Sequence, residues 1–258
     1  MQNTHVPDIA PSISIHDAYL AFERIIIFEN LHLTLEAGRW TCLLGRSGIG
    51  KSTLLRLIAG LPVPDSVVRA RVASNSHLPL TTQIAYMAQT DLLLPWLTVL
   101  ENVLLFTKLK PVSAAQRKFF SARACNLLAA AGLKGYENYI PEKLSGGMRQ
   151  RVALVRTLIE NKPVVLMDEP FSALDTITRF HLQNLAAKWL RKRTVFFVTH
   201  DPLEALRLSD EIYILSGQPA GLSPPLKLTS DTPRDPANLI ELQTKLYHEL
   251  SDADEVCV

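Results

Sequence analysis

Apolar residues recur along this chain with two periods, and the changes between them mark its elements. From residue 13 to 35 they suggest strands: Ile13 and Ile15, then Ile25-Ile26-Ile27-Phe28, then Leu31, Leu33 and Leu35 alternating with His32 and Thr34. Strict alternation marks a strand buried on one face. Short runs at 41–44, 83–87, 164–167, 194–199 and 211–215 read as further strands, and the unbroken apolar run at 164–167 is typical of strands covered on both faces. Between them lie helical stretches at 52–59, 114–131, 145–160 and 176–191. Leu93, Leu97, Leu100, Leu104 and Leu105 also fall at helical spacing, so the segment from about 92 to 140 reads as an all-helical insert. Residues 62–82 are weakly patterned and read as a loop. Residues 1–11 are polar, contain prolines and read as a frayed end.

Strands alternating with helices predict an α/β fold with a mostly parallel sheet and right-handed crossovers. Such sheets bind ligands beyond the carboxyl ends of their strands. The stretch at that position after the 41–44 strand is Gly45-Arg46-Ser47-Gly48-Ile49-Gly50-Lys51-Ser52, followed by Thr53. It fits the phosphate-binding pattern G-x-x-x-x-G-K-[ST]. Its glycines let backbone N–H groups turn toward a polyphosphate, and the helix that follows adds its unpaired N–H groups and its dipole. Lys51 would neutralise the β- and γ-phosphates, and the Ser52 hydroxyl would ligate Mg²⁺.

Three further places reach the same edge. Asp168 and Glu169 end the 164–167 run, where one carboxylate can hold the coordination shell of Mg²⁺ and its neighbour can reach an attacking water. His200 ends the 194–199 run as a candidate partner of the γ-phosphate. Gln89 follows the 83–87 strand and could contact the metal or the water. Leu144-Ser145-Gly146-Gly147 is different in kind. A serine suited to capping stands before two glycines at a helix start, which makes a second anion site in the same chain.

Composition narrows the class. The chain is 47% hydrophobic and 20% charged, an ordinary globular balance able to bury one large core or one core with a subdomain. A formal net charge of +2 gives no electrostatic case for a nucleic-acid partner. Cys42, Cys125 and Cys257 lack metal-ligand spacing and suit a reducing compartment. Neither a secretory signal nor an apolar run of the ~20 residues that cross a bilayer is evident, so membrane association is expected through a partner. The tail from Gly217 reads as a Pro-rich linker (Pro219, Pro224, Pro225). An amphipathic helix follows, begun by Asp235-Pro236 and striped with Leu239, Leu242, Leu246 and Leu250.

Together these motifs resemble the ATP-binding cassette (ABC) family over nearly the whole chain. On that resemblance 45–53 is the Walker A loop, 164–168 the Walker B strand, Glu169 the catalytic base and His200 the switch histidine. Gln89 stands for the Q-loop, Leu144-Ser145-Gly146-Gly147-Met148 for the signature motif, and Ser172-Ala173-Leu174-Asp175 for the D-loop; Phe22 takes the place of the aromatic that stacks on adenine. The resemblance implies a P-loop NTPase fold with an antiparallel β subdomain on the N-terminal side. It implies an ATP-binding domain over 1–216, with a helical subdomain at about 92–160, and a separate tail over 217–258. It also implies ATP and Mg²⁺, a second copy bound head to tail, integral membrane permease subunits, an extracytoplasmic solute-binding protein acting indirectly, and a place on the cytoplasmic face of the inner membrane. Two departures stand out: Met148 where many members have Gln, and no glycine within 61–82.

Leu93-Leu94-Pro95-Trp96-Leu97-Thr98-Val99 and Glu101-Asn102-Val103 are similar to the bacterial importers of nitrate, sulfonates, taurine and thiamine-precursor pyrimidines. Two other classes stay open at this point: a soluble ABC ATPase acting on DNA or ribosomes, and a P-loop kinase.

Overall fold

The computed structural model describes residues 10–23, 25–64, 66–109 and 112–255. Most of the expected frayed end, and Cys257, lie outside these. Ala10 and Pro11 do not fray: both are buried, and the Pro11 carbonyl accepts the Thr194 hydroxyl at 2.7 Å.

In chain order the structure begins with β1 (Ile13–Phe22), β2 (Ile25–Leu35), β3 (Trp40–Leu44), α1 (Lys51–Ile58), β4 (Ser66–Ser74) and β5 (Ile84–Met87). There follow α2 (Val99–Val103), α3 (Leu105–Leu109), α4 (Ala114–Ala130), α5 (Gly146–Ile159), β6 (Val164–Asp168) and α6 (Thr176–Trp189). The chain continues through β7 (Thr194–Val198), α7 (Pro202–Leu208), β8 (Glu211–Gly217), β9 (Ala220–Leu222), β10 (Leu226–Lys227) and α8 (Ile240–Glu255). These elements fall into two units. One holds the chain through Ile84, Pro163–Glu169, and everything from Arg191; the other holds Ala85–Lys162 and Pro170–Leu190.

The first unit contains an antiparallel sheet ordered β2-β1-β4. The alternation read from the sequence places Ile13, Ile15, Leu31, Leu33 and Leu35 in its core. The expected loop at 62–82 is corrected here, because β4 runs through it and pairs with β1 from Ile13↔Ser74 to Phe22↔Ser66. It lacks a hydrophobic signature because none of its nine residues is buried and five are exposed, Val67 at 49% and Val68 at 37%, with Arg69 and Arg71 interrupting its valines. The backbone ladder makes this strand; burial contributes little.

The larger sheet of this unit runs β10-β8-β3-β7-β6, with β9 also on β8. Its β8-β3-β7-β6 stretch is parallel, and β3, β7 and β6 are buried on both faces, as the apolar runs predicted. Behind Gly217 the chain is not a bare linker, since β9 and β10 both return antiparallel to β8. Asp235 caps a single 3₁₀ turn, Pro236–Asn238, and α8 starts after it; Leu239 and Leu246 are buried, and the helix packs on α7 and β8.

In the second unit, the predicted helix from Leu92 starts only at Val99. Thr98 caps it in a reciprocal box with Glu101. The buried Asn102 amide donates to the carbonyls of Leu94, Leu97 and Thr98 and accepts from the Leu94 N–H. Residues 94–98 are thus wound around one side chain, and the leucine spacing there crosses a turn. The helix expected at 114–131 is α4, capped by Ser113 and Gln116.

Candidate nucleotide site

The parallel register sets the geometry. Leu43 of β3 pairs with Val198 of β7, and Val198 with Asp168 of β6, so three strands end side by side. The ladder continues for one more bond on each side: Thr199 N–H donates to Leu43 (3.3 Å) and Glu169 N–H to Val198 (3.0 Å). The phosphate loop, the two acids and His200 therefore leave the sheet together, at the edge where the sequence placed them.

Gly50 stands at the N-cap of α1 with φ 106° and offers no side-chain cap, so the first N–H groups of the helix stay available to an anion. A Cβ there would come within 2.7 Å of Ile27 Cγ2, so both backbone angle and space demand glycine. Gly45 is demanded as well, since a Cβ would approach the Leu215 carbonyl to 2.6 Å. Arg46, Ser47 and Gly48 are exposed, while Ile49 and Thr53 are half-buried. Lys51 is 5% exposed and donates to the carbonyls of Gly45 and Arg46, both at 2.7 Å. Burial pulls its pKa down, against the opposing pull of Glu169 and Asp168. Beside the loop lies a recess of about 340 Å³ walled by Ile26, Ile27, Ser47, Gly48 and Ile49. Phe22, half-buried at the end of β1, is not one of its walls; two isoleucines of β2 are.

Ser52 Oγ donates to Asp168 Oδ1 at 3.0 Å. Burial pushes the Asp168 carboxyl up, and the serine bond only partly opposes it. A hydroxyl touching a carboxylate fits Mg²⁺, which takes oxygen ligands and leaves most of its shell to phosphates and water. Glu169 follows with φ 45°, in the left-handed region that non-glycine residues rarely adopt. This turn sets its Oε1 3.2 Å from His200 Nδ1. The His200 ring is 58% exposed and the Glu169 side chain 14%.

In the second unit, Ser145 caps α5 as expected, its Oγ accepting from Met148 N–H at 3.2 Å. The two glycines behind it differ. A Cβ on Gly147 would meet the Ala173 carbonyl at 3.1 Å, whereas one on Gly146 would meet nothing nearer than an Arg149 nitrogen at 3.9 Å. Asp175 is engaged as the cap of α6, accepting from Thr178 N–H at 3.0 Å; the Thr178 hydrogen bonds hold its carboxyl below the usual range. Gln89 is exposed, two residues beyond β5.

Three side chains of α5 make contacts that the sequence does not announce. The buried Gln150 accepts from Ala173 N–H (2.8 Å) and donates to Ser172 Oγ (3.4 Å), tying residues 172–173 to the helix. Arg149 donates to Asp91 Oδ2 at 2.9 Å, and Arg156 donates to the carbonyls of Asp91 (2.6 Å) and Leu92 (2.8 Å). A polar residue on the stripe of Ala153, Leu154 and Leu158 was the available sign for Gln150; the contacts of the two arginines carried none.

Residues 28–172 match the ABC transporter family model. An ABC transporter ATP-binding protein of Haemophilus influenzae is 40% identical over 246 residues, 92% of this chain and 98% of that protein. The aliphatic sulfonates import ATP-binding protein SsuB 1 of Rhodococcus jostii is 43% identical over 88% of this chain and 89% of its own length. The formylaminopyrimidine import ATP-binding protein ThiZ of Halalkalibacterium halodurans is 40% identical over 75% of this chain and 74% of its own. Among solved structures, the ATP-binding cassette MJ0796, a dimer bound to ADP and Pi, superposes with a TM-score of 0.71 at 30% identity, covering 85% of this chain and all of that one. No helix among the described residues is long and apolar enough to cross a membrane. A P-loop fold, a paired acid and histidine at its edge, and relatives of nearly equal length converge on one assignment: this chain belongs to the ABC transporter family, as an ATP-binding, ATP-hydrolysing subunit.

Proposed function

We propose that the chain energises a bacterial importer of a small polar solute of the sulfonate, taurine, nitrate or pyrimidine kind. Two copies bind ATP head to tail on the cytoplasmic face of the inner membrane, beneath integral permease subunits served by an extracytoplasmic solute-binding protein. The start of α5 in each copy supplies the second anion site to the nucleotide held on the other copy's phosphate loop. Support comes from the relatives named above and from Gly146, a glycine that neither backbone angle nor packing within the chain requires. A close-approaching phosphate is a reason for it.

In this reading Lys51 exchanges its two loop carbonyls for phosphate oxygens, and the N–H groups behind Gly50 hold the same anion. Ser52 and Asp168 would hold Mg²⁺, which would supply charge neutralisation at the phosphate oxygens. Gln89 keeps the part its motif implies, a ligand to metal or water. Glu169 takes the proton of the attacking water, and His200 orients the carboxylate and faces the γ-phosphate. Phe22 and the isoleucines of β2 flank the nucleotide, and Asp175 sets the start of α6 near the paired copy.

The observation that carries hydrolysis is the Glu169–His200 contact at 3.2 Å beside the phosphate loop. Glu169→Gln is expected to bind ATP and to lose about 10²–10⁴-fold in turnover, the usual worth of a placed general base. Steady-state phosphate release measures this; turnover within a factor of two or so of the parent removes Glu169 from the base role.

A further inference from the structure

The tail fastens one specific helix. Arg234 is 6% exposed and spends its guanidinium on that fastening. Its Nη1 donates to the carbonyls of Leu206 (2.9 Å) and Ser209 (2.7 Å), at the carboxyl end of α7. Its Nε and Nη2 donate to the hydroxyl and carbonyl of Ser230, both at 2.7 Å, which holds the tail segment in shape. The backbone adds a reciprocal pair: Arg234 N–H donates to the Arg207 carbonyl at 2.9 Å, and Arg207 Nε returns to the Arg234 carbonyl at 3.1 Å. Cations at a helix carboxyl end also suit its dipole.

The other end of α7 holds the His200 turn from both sides. Asp201 Oδ1 accepts from the N–H groups of Leu203 (2.9 Å) and Glu204 (3.3 Å). Thr199 Oγ1 donates to the buried Glu204 carboxylate at 2.7 Å and accepts from Asp201 N–H at 3.2 Å. His200 is thus flanked by two residues bonded to a helix of seven residues, and the far end of that helix is clasped by Arg234.

We propose that Arg234 is a positioning residue for ATP hydrolysis: it anchors α7 as a strut that holds His200 against Glu169. The proposal rests on the role given to His200 above. It also makes the tail beyond β8 part of the catalytic apparatus rather than an appendage.

The test is a double-mutant cycle on the full chain with Mg-ATP, comparing the parent, Arg234→Ala, His200→Ala and the double variant. Arg234→Ala is expected to lower kcat about tenfold with KM for ATP little changed, since small misplacements of a catalytic group are costly. In the His200→Ala background the same substitution should change kcat by less than about twofold, because coupled residues do not add. Arg234→Lys, which keeps the cation and part of the carbonyl contacts, should fall between parent and alanine variant. It takes over the cycle if Arg234→Ala shows no cooperative melt. Losses that multiply in full, or that appear in KM alone, overturn the strut while leaving His200 in its role. Parent-like turnover in His200→Ala overturns both.

Discussion

Gly146 and Gly147 are adjacent in the α5 start, yet alanine should act on them in opposite ways. At Gly146 the backbone is helical without a positive φ, and an added Cβ has ordinary room. Alanine then gains through the unfolded chain, which loses freedom, and through its better helix propensity; the expected gain is about 0.4–1 kcal/mol. For a chain of this size that corresponds to a rise of about 1–4 °C in melting temperature. At Gly147 the Cβ would press on the Ala173 carbonyl at 3.1 Å and touch Leu174 at 3.6 Å, so the loop must shift and the melting temperature should fall. Activity separates the two effects from mere stability. If the Gly146 backbone receives a phosphate, its Cβ displaces charge-assisted hydrogen bonds worth about 1.5–3 kcal/mol, which is about 10–100-fold in turnover. Gly146→Ala is therefore expected to melt higher and hydrolyse ATP more slowly. Differential scanning fluorimetry without nucleotide and a phosphate-release assay read the two quantities. A variant that melts higher and keeps its full rate refutes a phosphate seat at Gly146, and one that melts lower refutes the reading of open space at the helix start.

Two other expectations concern the phosphate loop. Lys51→Ala should weaken ATP binding by about 10–100-fold, the worth of a charge-assisted contact, as measured by titration with a fluorescent nucleotide; unchanged affinity would count against the loop assignment. Asp168→Asn should raise the melting temperature at neutral pH while abolishing Mg-dependent turnover. Burial raises the Asp168 pKa, so its charged form is the costly one, and the folded chain takes up a proton before the unfolded chain does. The stability gain of the asparagine variant should shrink as pH falls from neutral through the raised pKa toward the ordinary carboxylate range, and a gain independent of pH would contradict burial as the cause.

What the sequence made legible was whatever local chemistry dictates. The phosphate loop could be read because its G-x-x-x-x-G-K-[ST] spacing is a local pattern, although the contacts that demand glycine come from far along the chain, Leu215 for Gly45 and Ile27 for Gly50. The strand ends bearing Asp168 and His200 followed from apolar runs that a doubly covered sheet requires. β4 was missed because its pairing with β1 is a relation between backbones, and a water-facing edge leaves no hydrophobic trace. Residues 92–98 were misread because leucine spacing cannot register that Asn102 gathers three carbonyls into a turn. Phe22 rests on motif position alone, and the recess beside the loop adds Ile26 and Ile27 of the next strand, which no motif marks. Asp175 had a nearer use than ligand contact, since helix capping needs only the Thr178 N–H three residues on.

The arginines of α5 carry one more consequence. Arg149 sits in its first turn and Arg156 two turns later, and both grip the dipeptide Asp91-Leu92. A helix of 14 residues spans about 21 Å, and the seven-residue step from Arg149 to Arg156 spans about 10 Å of it. Held at two points along its length, the dipeptide can neither slide nor pivot on α5 unless a bond breaks. In mechanical terms the pair is a splint: charge reversal at Asp91 would remove the Arg149 bond and leave Arg156 alone to hold the backbone two residues past Gln89.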